Sequence, residues 1–423
     1  MKRKPKKRPT PTKGKVSVLG QLCNFIPGHL VPKLARECGI DGKARTFTVW
    51  SQVVAMLYAQ LVHALSLNDV CDGLRHHARS LSRLRGAVAP SRNAFSHANR
   101  ERDASFAEKL FWEVMAHVQT LQPRFGSGQA RGLTRRLRRT IHVVDSSTIQ
   151  LVANCMDWAR HRRRKAAAKL HLRLDLHSLL PRFAIIDTAK DNDARRAHEV
   201  CAGVREGEIV IFDRAYLDLV HLCSLAFRKI WWVTRAKENL KLRVVKRLQR
   251  GRKGNILRDD LVVFKNKGSK LEYPMRLRRI VALVEVDGRQ MEMTFLTNHL
   301  EWAASTVADL YRCRWQIEVF FKQIKQTLQL CDFLGHNANA VRWQVWMALL
   351  LYVLLRFQSF LSGWAHSFSR LFTLIRGVVW DQFHLITLLE FYGTAGKRWR
   401  MRAEPHYAYL PGLAPTPVGQ HTT

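Results

Sequence analysis

The sequence predicts an α/β protein: a sheet flanked by helices, preceded by an all-α region and interrupted by a β-rich insertion. Three observations carry this. Residues 17–121 hold only helical patterns, residues 141–238 alternate β-branched strands with helices, and residues 239–298 lose the helical pattern. With 423 residues, 47% of them hydrophobic, the chain can bury a large core. Its 70 Lys and Arg stand against 33 acids, a net charge of +37, which points to a polyanionic partner, nucleic acid first. Twelve Trp and twenty Phe argue against a short, aromatic-poor structural protein.

Element by element, "MKRKPKKRPTPTKGK" (within 1–16) has no apolar run after its charges and reads as a disordered basic arm, not a signal peptide. In 17–121, "VWSQVVAMLYAQLVHAL" reads as a core helix, and Ser66 and Asn68 mark the start of the next. Short helices around Pro90-Ser91 fit either a helix-turn-helix or an ordinary bundle. The first reading makes Arg92, Asn93, His97 and Arg100 candidates for DNA reading. Residues 122–140, rich in Gly and Arg, read as a linker. "TIHVVDSSTIQLV", two strands about Pro181, "EIVIF" and "KIWWVTRAK" then supply strands for 141–238. The insertion carries an Asp287-Gly288 hairpin signal. A helix is predicted from Ser305 through Leu330, within 299–335, and further apolar helices within 336–402. The run Val345–Leu355 is too short to span a bilayer and reads as a core helix, so no membrane is expected. The tail, 403–423, holds several prolines and reads as disordered. Eight scattered cysteines without a CxxC pair argue against zinc and for free thiols in a reducing cytoplasm.

Candidate chemistry begins with Asp145 after "IHVV" and Asp213 after "EIVIF". A carboxylate directly after an apolar strand is costly unless solvated, paired or metal-bound. Asp175 and Asp187 sit in similar settings, and local sequence does not separate the four. On the predicted late helix, with Tyr311 at 0°, Arg314, Glu318 and Lys325 fall at about 300°, 340° and 320°, one narrow polar sector beside the apolar face. Glu318 with Lys322 is also an ordinary i,i+4 pair, so geometry alone leaves its role open.

The spacing Tyr311-x2-Arg314-x3-Glu318-x6-Lys325 resembles the YREK signature of bacterial insertion-sequence transposases of the DDE superfamily, the insertion-sequence-four family. "VIFDRAYLD" is similar to that family's second-Asp motif, with Ala215 where glycine is usual, and "HVVDSSTIQL" to its first. The likeness spans roughly residues 24–333. It implies a ribonuclease-H-like mixed sheet core in two parts, 141–238 and 299–335, around the β-rich insertion 239–298. It further implies a metal-binding catalytic triad Asp145, Asp213 and Glu318, leaving Asp175 and Asp187 outside. Two Mg²⁺ ions about 3.5–4 Å apart are implied, with Mn²⁺ able to substitute. Tyr311, Arg314, Lys325, Arg214 and Tyr216 are implied as phosphate or DNA contacts. The expected activity is binding of an element's terminal inverted repeats, cleavage of the ends and their joining to target DNA, by a homodimer on double-stranded DNA in the bacterial cytoplasm. The alternatives are a ribonuclease-H-like nuclease without strand transfer, and an inactive DNA-binding descendant acting as a repressor.

Overall fold

The computed structural model describes residues 10–40, 46–127, 136–151, 160–162, 165–188, 193–249, 254–286, 288–328 and 333–393. The first part of the expected basic arm, the middle of the expected linker (128–135) and the expected C-terminal tail lie outside them. The arm's last residues are held in place: Gly14 donates to the Gln382 carbonyl at 2.6 Å and His384 to that of Thr12 at 2.8 Å. The start of the linker is also fixed. Pro123–Ser127 is a short helix whose Phe125 is buried edge-on against Phe357 and Phe360. The Gly/Arg composition around Phe125 hides this aromatic anchor.

Ten strands form one mixed sheet: β1 (Ile141–Leu151), β2 (Arg160–Arg162), β3 (Lys165–Asp175), β4 (Pro181–Thr188), β5 (Ile209–Phe212), β6 (Trp231–Arg235), β7 (Leu242–Gln249), β8 (Ile256–Phe264), β9 (Leu277–Val286) and β10 (Arg289–Thr297). Their order is β2-β3-β1-β5-β6-β10-β9-β8-β7, with β4 also paired to β3. The centre, β1-β5-β6, is parallel, and its strands are the near-continuous apolar runs that a sheet covered on both faces requires. Toward one edge β3 runs antiparallel to β1 and β4 to β3. Toward the other, β10 pairs antiparallel with β6, so the β-rich stretch continues the same sheet as a meander. The stretch is not wholly strand, since Lys267–Glu272 is helical. At its hairpin Gly288 adopts φ +74°, a conformation open to glycine at little cost.

One face of the sheet packs on the helices Asp193–Val200 and Leu219–Phe227, around buried Phe212, Tyr216 and Trp232. The other face joins a core that also takes in the N-terminal helices. The long helix Ala338–Leu361, with its N-terminus capped by Asn337, packs against Ser105–Leu121 and Val49–Val62. It has the length and hydropathy of a membrane span, yet most of its apolar stretch is buried in this core. Trp343 stacks on Phe106 and Trp346 packs tilted on Phe111, contacts each worth about 0.5–1.5 kcal/mol beyond their burial.

The N-terminal helices do not form a tight helix-turn-helix. Leu67–His76, closed by a Ser66–Asp69 capping box, is followed by the short helix Ala78–Ser82 and a turn before Arg92–Glu101 begins at its Ser91 cap. The expected late helix is also interrupted. Ala304–Arg312 ends at Cys313, Trp315–Lys322 resumes after Arg314, and a π-helical segment covers Gln323–Thr327.

Candidate active site

The parallel register places the two strand aspartates side by side. Val144 pairs with Phe212, so Asp145 and Asp213 are the next residues on neighbouring strands. Asp145 is not at a strand end, since β1 runs on to Leu151 against β3. It lies where β5 stops and leaves β1 exposed on that side. Asp213 instead caps the 3-10 turn Arg214–Tyr216, accepting from Ala215 N–H at 3.4 Å. Both carboxylates thus stand at the carboxyl end of the parallel strands, where open α/β sheets hold their sites.

The helix Trp315–Lys322 lies across this edge because Ile317, Phe320 and Phe321 are buried beneath it, Phe320 meeting Tyr352 of the long helix edge-on. That seating presents Glu318 toward the aspartates. Arg314, in the break before the helix, fills the space among them. Its guanidinium is 2.9 Å from Asp145, 3.6 Å from Asp213 and 2.5 Å from Glu318. The three acids, far apart in sequence, therefore converge on one cationic point.

Burial pushes the Asp145 carboxyl up to about 7; Arg314 draws it down, while Asp213 and Glu318 raise it further. Arg314 is raised above its ordinary value: burial opposes its charge, but Tyr311, Asp145, Glu318 and Asp213 hold it protonated. Tyr311 packs on Phe295 and lies beside the guanidinium, with its phenol raised chiefly by burial. Among the described residues, no three His, Cys, Asp or Glu side chains are grouped tightly enough to hold a metal as they stand. Arg314 stands between the triad instead. The donor set nevertheless suits a hard divalent cation, being carboxylate oxygens only, drawn around a centre already occupied by positive charge.

Lys325 does not join this centre. The π-helical segment turns it toward β1, where its Nζ donates to the Thr148 carbonyl, and burial lowers its pKa. Tyr216, expected at a phosphate, is fully buried, and its hydroxyl lies 2.8 Å from His171 Nδ1. Its motif position put it next to Asp213, but the apolar residues on both sides of that turn draw the ring into the core. Arg214 remains exposed beside Asp213. Of the N-terminal candidates, Arg92 and Arg100 line a cleft with the start of the long helix, while Asn93 and His97 are exposed on the next stripe of their helix.

The remaining aspartates have structural partners. Asp175 accepts from Arg182 at 2.8 Å and from His177 N–H at 2.9 Å, closing the β3–β4 turn. Burial alone would raise its pKa, but His177 and Arg182 hold it well below the carboxylate range. Asp187 is paired with Arg196. Sequence reasoning missed Asp193, which accepts from the Ser146 hydroxyl at 2.9 Å and pairs with Lys169 at 2.7 Å, bracing β1 next to Asp145. Its only sequence signal was an acid opening a helix.

Three carboxylates gathered from two parallel strands and a packed helix form an arrangement suited to metal-dependent phosphoryl transfer. The chain belongs to the Transposase DDE domain family, whose profile matches residues 136–354, more than half of its length. Residues 15–84 match a domain of unknown function, DUF4372. Similar proteins include a transposase candidate, y4zB, of Sinorhizobium fredii (36% identical over 236 residues, 54% of this chain and 64% of the relative). The transposase assigned to insertion sequence element IS5377 of Geobacillus stearothermophilus is 29% identical over 59% of this chain and 64% of its own. Transposase InsG for insertion sequence element IS4 of Escherichia coli is 24% identical over 45% of this chain and 43% of its own. The chain thus spans somewhat less than two thirds of the length of the first two of these relatives. A solved piggyBac transposase synaptic complex with hairpin DNA aligns over 96% of this chain and 86% of its own, at a TM-score of 0.41 and 11% identity, too distant for any detail to be carried across.

Proposed function

We propose that this chain is a DNA transposase that binds the terminal inverted repeats of its own insertion sequence, cuts the DNA ends and joins them to a target. The observation that carries this reading is the convergence of Asp145, Asp213 and Glu318 on one cationic centre at the sheet's carboxyl edge. In this reading the three carboxylates hold divalent cations, Mg²⁺ or Mn²⁺ by the hardness of their oxygen donors. Such ions, when bound, activate the attacking oxygen and stabilise the leaving one.

The chain's own residues do the rest. Arg314 must withdraw from the carboxylates for a metal to enter, and the released guanidinium is then free to clamp a phosphate in bidentate fashion. Arg214, exposed next to Asp213, reaches the same backbone, and Tyr311 stands by Arg314 as a further donor. Lys325 contributes charge from β1's side. Two element ends must be paired, so the working form is a homodimer on double-stranded DNA. The +37 charge supplies most of the affinity through counterion release.

The experiment is a combined nicking and strand-transfer assay with labelled duplex carrying the element's terminal repeat, a target plasmid and Mg²⁺. Joined products support transposition. Cutting without joining supports a nuclease. Binding with neither, whatever the metal, supports a DNA-binding repressor.

A further inference from the structure

Beyond the carboxylate site, a cleft of about 580 Å³ opens between the N-terminal helices and the segment leading into the long helix. Its walls come from three stretches that the family matches treat separately: residues 65–68 within the domain of unknown function, residues 92–100 between the two matches, and residues 333–340 within the DDE domain. Arg92, Ser96, Asn99 and Arg100 share one helix face, the i, i+4, i+7, i+8 row, and present it to the cleft. Asn68, His336 and Asn337 stand among the facing groups, and among the described residues no carboxylate lines the space. Leu65, 68% exposed, and Phe333 add an apolar surface. Among the described residues, the Arg100 side chain pairs with its sequence neighbour Glu101, an exposed pair of little net strength.

Two of the walls are tied together. Asn339 donates to the carbonyls of Asn99 and Arg102, and Trp343 to that of Arg102. A cleft with two exposed arginines, of which only Arg100 has an acid beside it among the described residues, and that an exposed one, suits an anionic occupant. The size is that of a small-ligand pocket, too small to enclose a double helix. Arg92, Ser96 and Arg100 rise in steps of about 6 Å along the helix, a spacing commensurate with successive phosphates of an extended polynucleotide. A leucine and a phenylalanine beside the basic row suit the faces of unpaired bases.

We propose that this cleft binds one unpaired DNA strand, its backbone along Arg92–Ser96–Arg100 and its bases against Phe333 and Leu65. The inference rests on the transposase reading, which makes DNA the polyanion present. It gives the helix Arg92–Glu101 a strand-holding role in place of base reading from a major groove.

The test measures fluorescence anisotropy of a labelled unpaired oligonucleotide, and of its duplex, with full-length protein across a salt series. Arg92→Gln with Arg100→Gln should weaken unpaired-strand binding about tenfold and reduce the salt slope by about 1.4, two contacts at about 0.7 each. Duplex affinity should change less than about threefold. Ser96→Glu, an exposed substitution that need not disturb the fold, should weaken the unpaired strand further by repulsion, while Asn93→Gln with His97→Gln should not. Unchanged unpaired-strand affinity in the Arg double variant and in Ser96→Glu overturns the proposal, as does equal weakening of both DNA forms. The same wild-type protein is assayed for metal-dependent nicking. Intact nicking with a silent cleft sinks only the cleft, whereas absent nicking sinks the reading beneath it.

Discussion

Replacing Arg314 with glutamine tests whether this guanidinium is the counter-cation of the metal-free site. It faces three carboxylates at 2.9, 3.6 and 2.5 Å, and its side chain is 17% exposed. A partly buried pair at about 4 Å is worth about 4 kcal/mol in an effective dielectric of about 20, before the opposing desolvation of both partners. Removing one partner of a buried network typically costs 3–5 kcal/mol because the others remain uncompensated. Asp213 and Glu318, at 30% and 33% exposed, recover some hydration, so the expected loss is about 3 kcal/mol in EDTA at mildly alkaline pH. Calcium should then stabilise the variant more than the wild type, because no guanidinium has to be displaced. Calcium at tenfold its Kd yields about 1.4 kcal/mol of stabilisation. Urea unfolding followed by tryptophan fluorescence, with and without calcium, reads both effects. If the variant matches the wild type in EDTA and gains no more from calcium, Arg314 is not the site's counter-cation and the convergence of the acids on it carries no weight.

Asp175→Asn should cost about 3 kcal/mol by breaking the turn's buried pair with Arg182, yet leave metal-dependent nicking per folded molecule unchanged. Because Asp175 is held below its unfolded value of about 3.9, its contribution is present above that pH and is lost as pH falls through the folded value. The urea midpoint of the wild type should therefore fall in acid more steeply than that of Asp175→Asn. Tyr216→Phe should cost about 1 kcal/mol through loss of the His171 hydrogen bond, and a tenfold weakening of DNA binding would instead restore a phosphate role for it. Leu350→Ala, fully buried in the long helix, should cost about 2–5 kcal/mol and lower hydrogen-exchange protection in Ser105–Leu121 together with its own helix. Loss confined to the long helix would separate the N-terminal core from it.

Much of the site was legible because its information is local. "IHVVD" and "EIVIFD" read as buried strands followed by acids, and the parallel register then brings Asp145 and Asp213 abreast. The spacing from Tyr311 to Glu318 survived a broken helix because Arg314 lies at the break itself and still reaches Glu318 one turn on. Lys325 does not sit where a regular 100° wheel places it, because the wheel does not anticipate the π-helical segment Gln323–Thr327. The partners of Asp175, Asp187 and Asp193 were invisible for a different reason. Each is settled by a side chain whose proximity depends on strand pairing or on a helix packed over the sheet. The shared core of the N-terminal helices and Ala338–Leu361 joins residues more than two hundred positions apart, which no periodicity reports.

The central claim is that three particular acids perform metal-dependent cutting of DNA. The direct measurement is the single-turnover nicking rate on terminal-repeat duplex, with Mg²⁺, of the wild type and of Asp145→Asn, Asp213→Asn and Glu318→Gln, each shown to fold and to bind DNA. The wild type should nick, and every variant should lose about a hundredfold or more, since even outer-shell changes at metal sites cost about 10–100-fold. Nicking at the wild-type rate by any one of the three, with fold and binding retained, would contradict this claim.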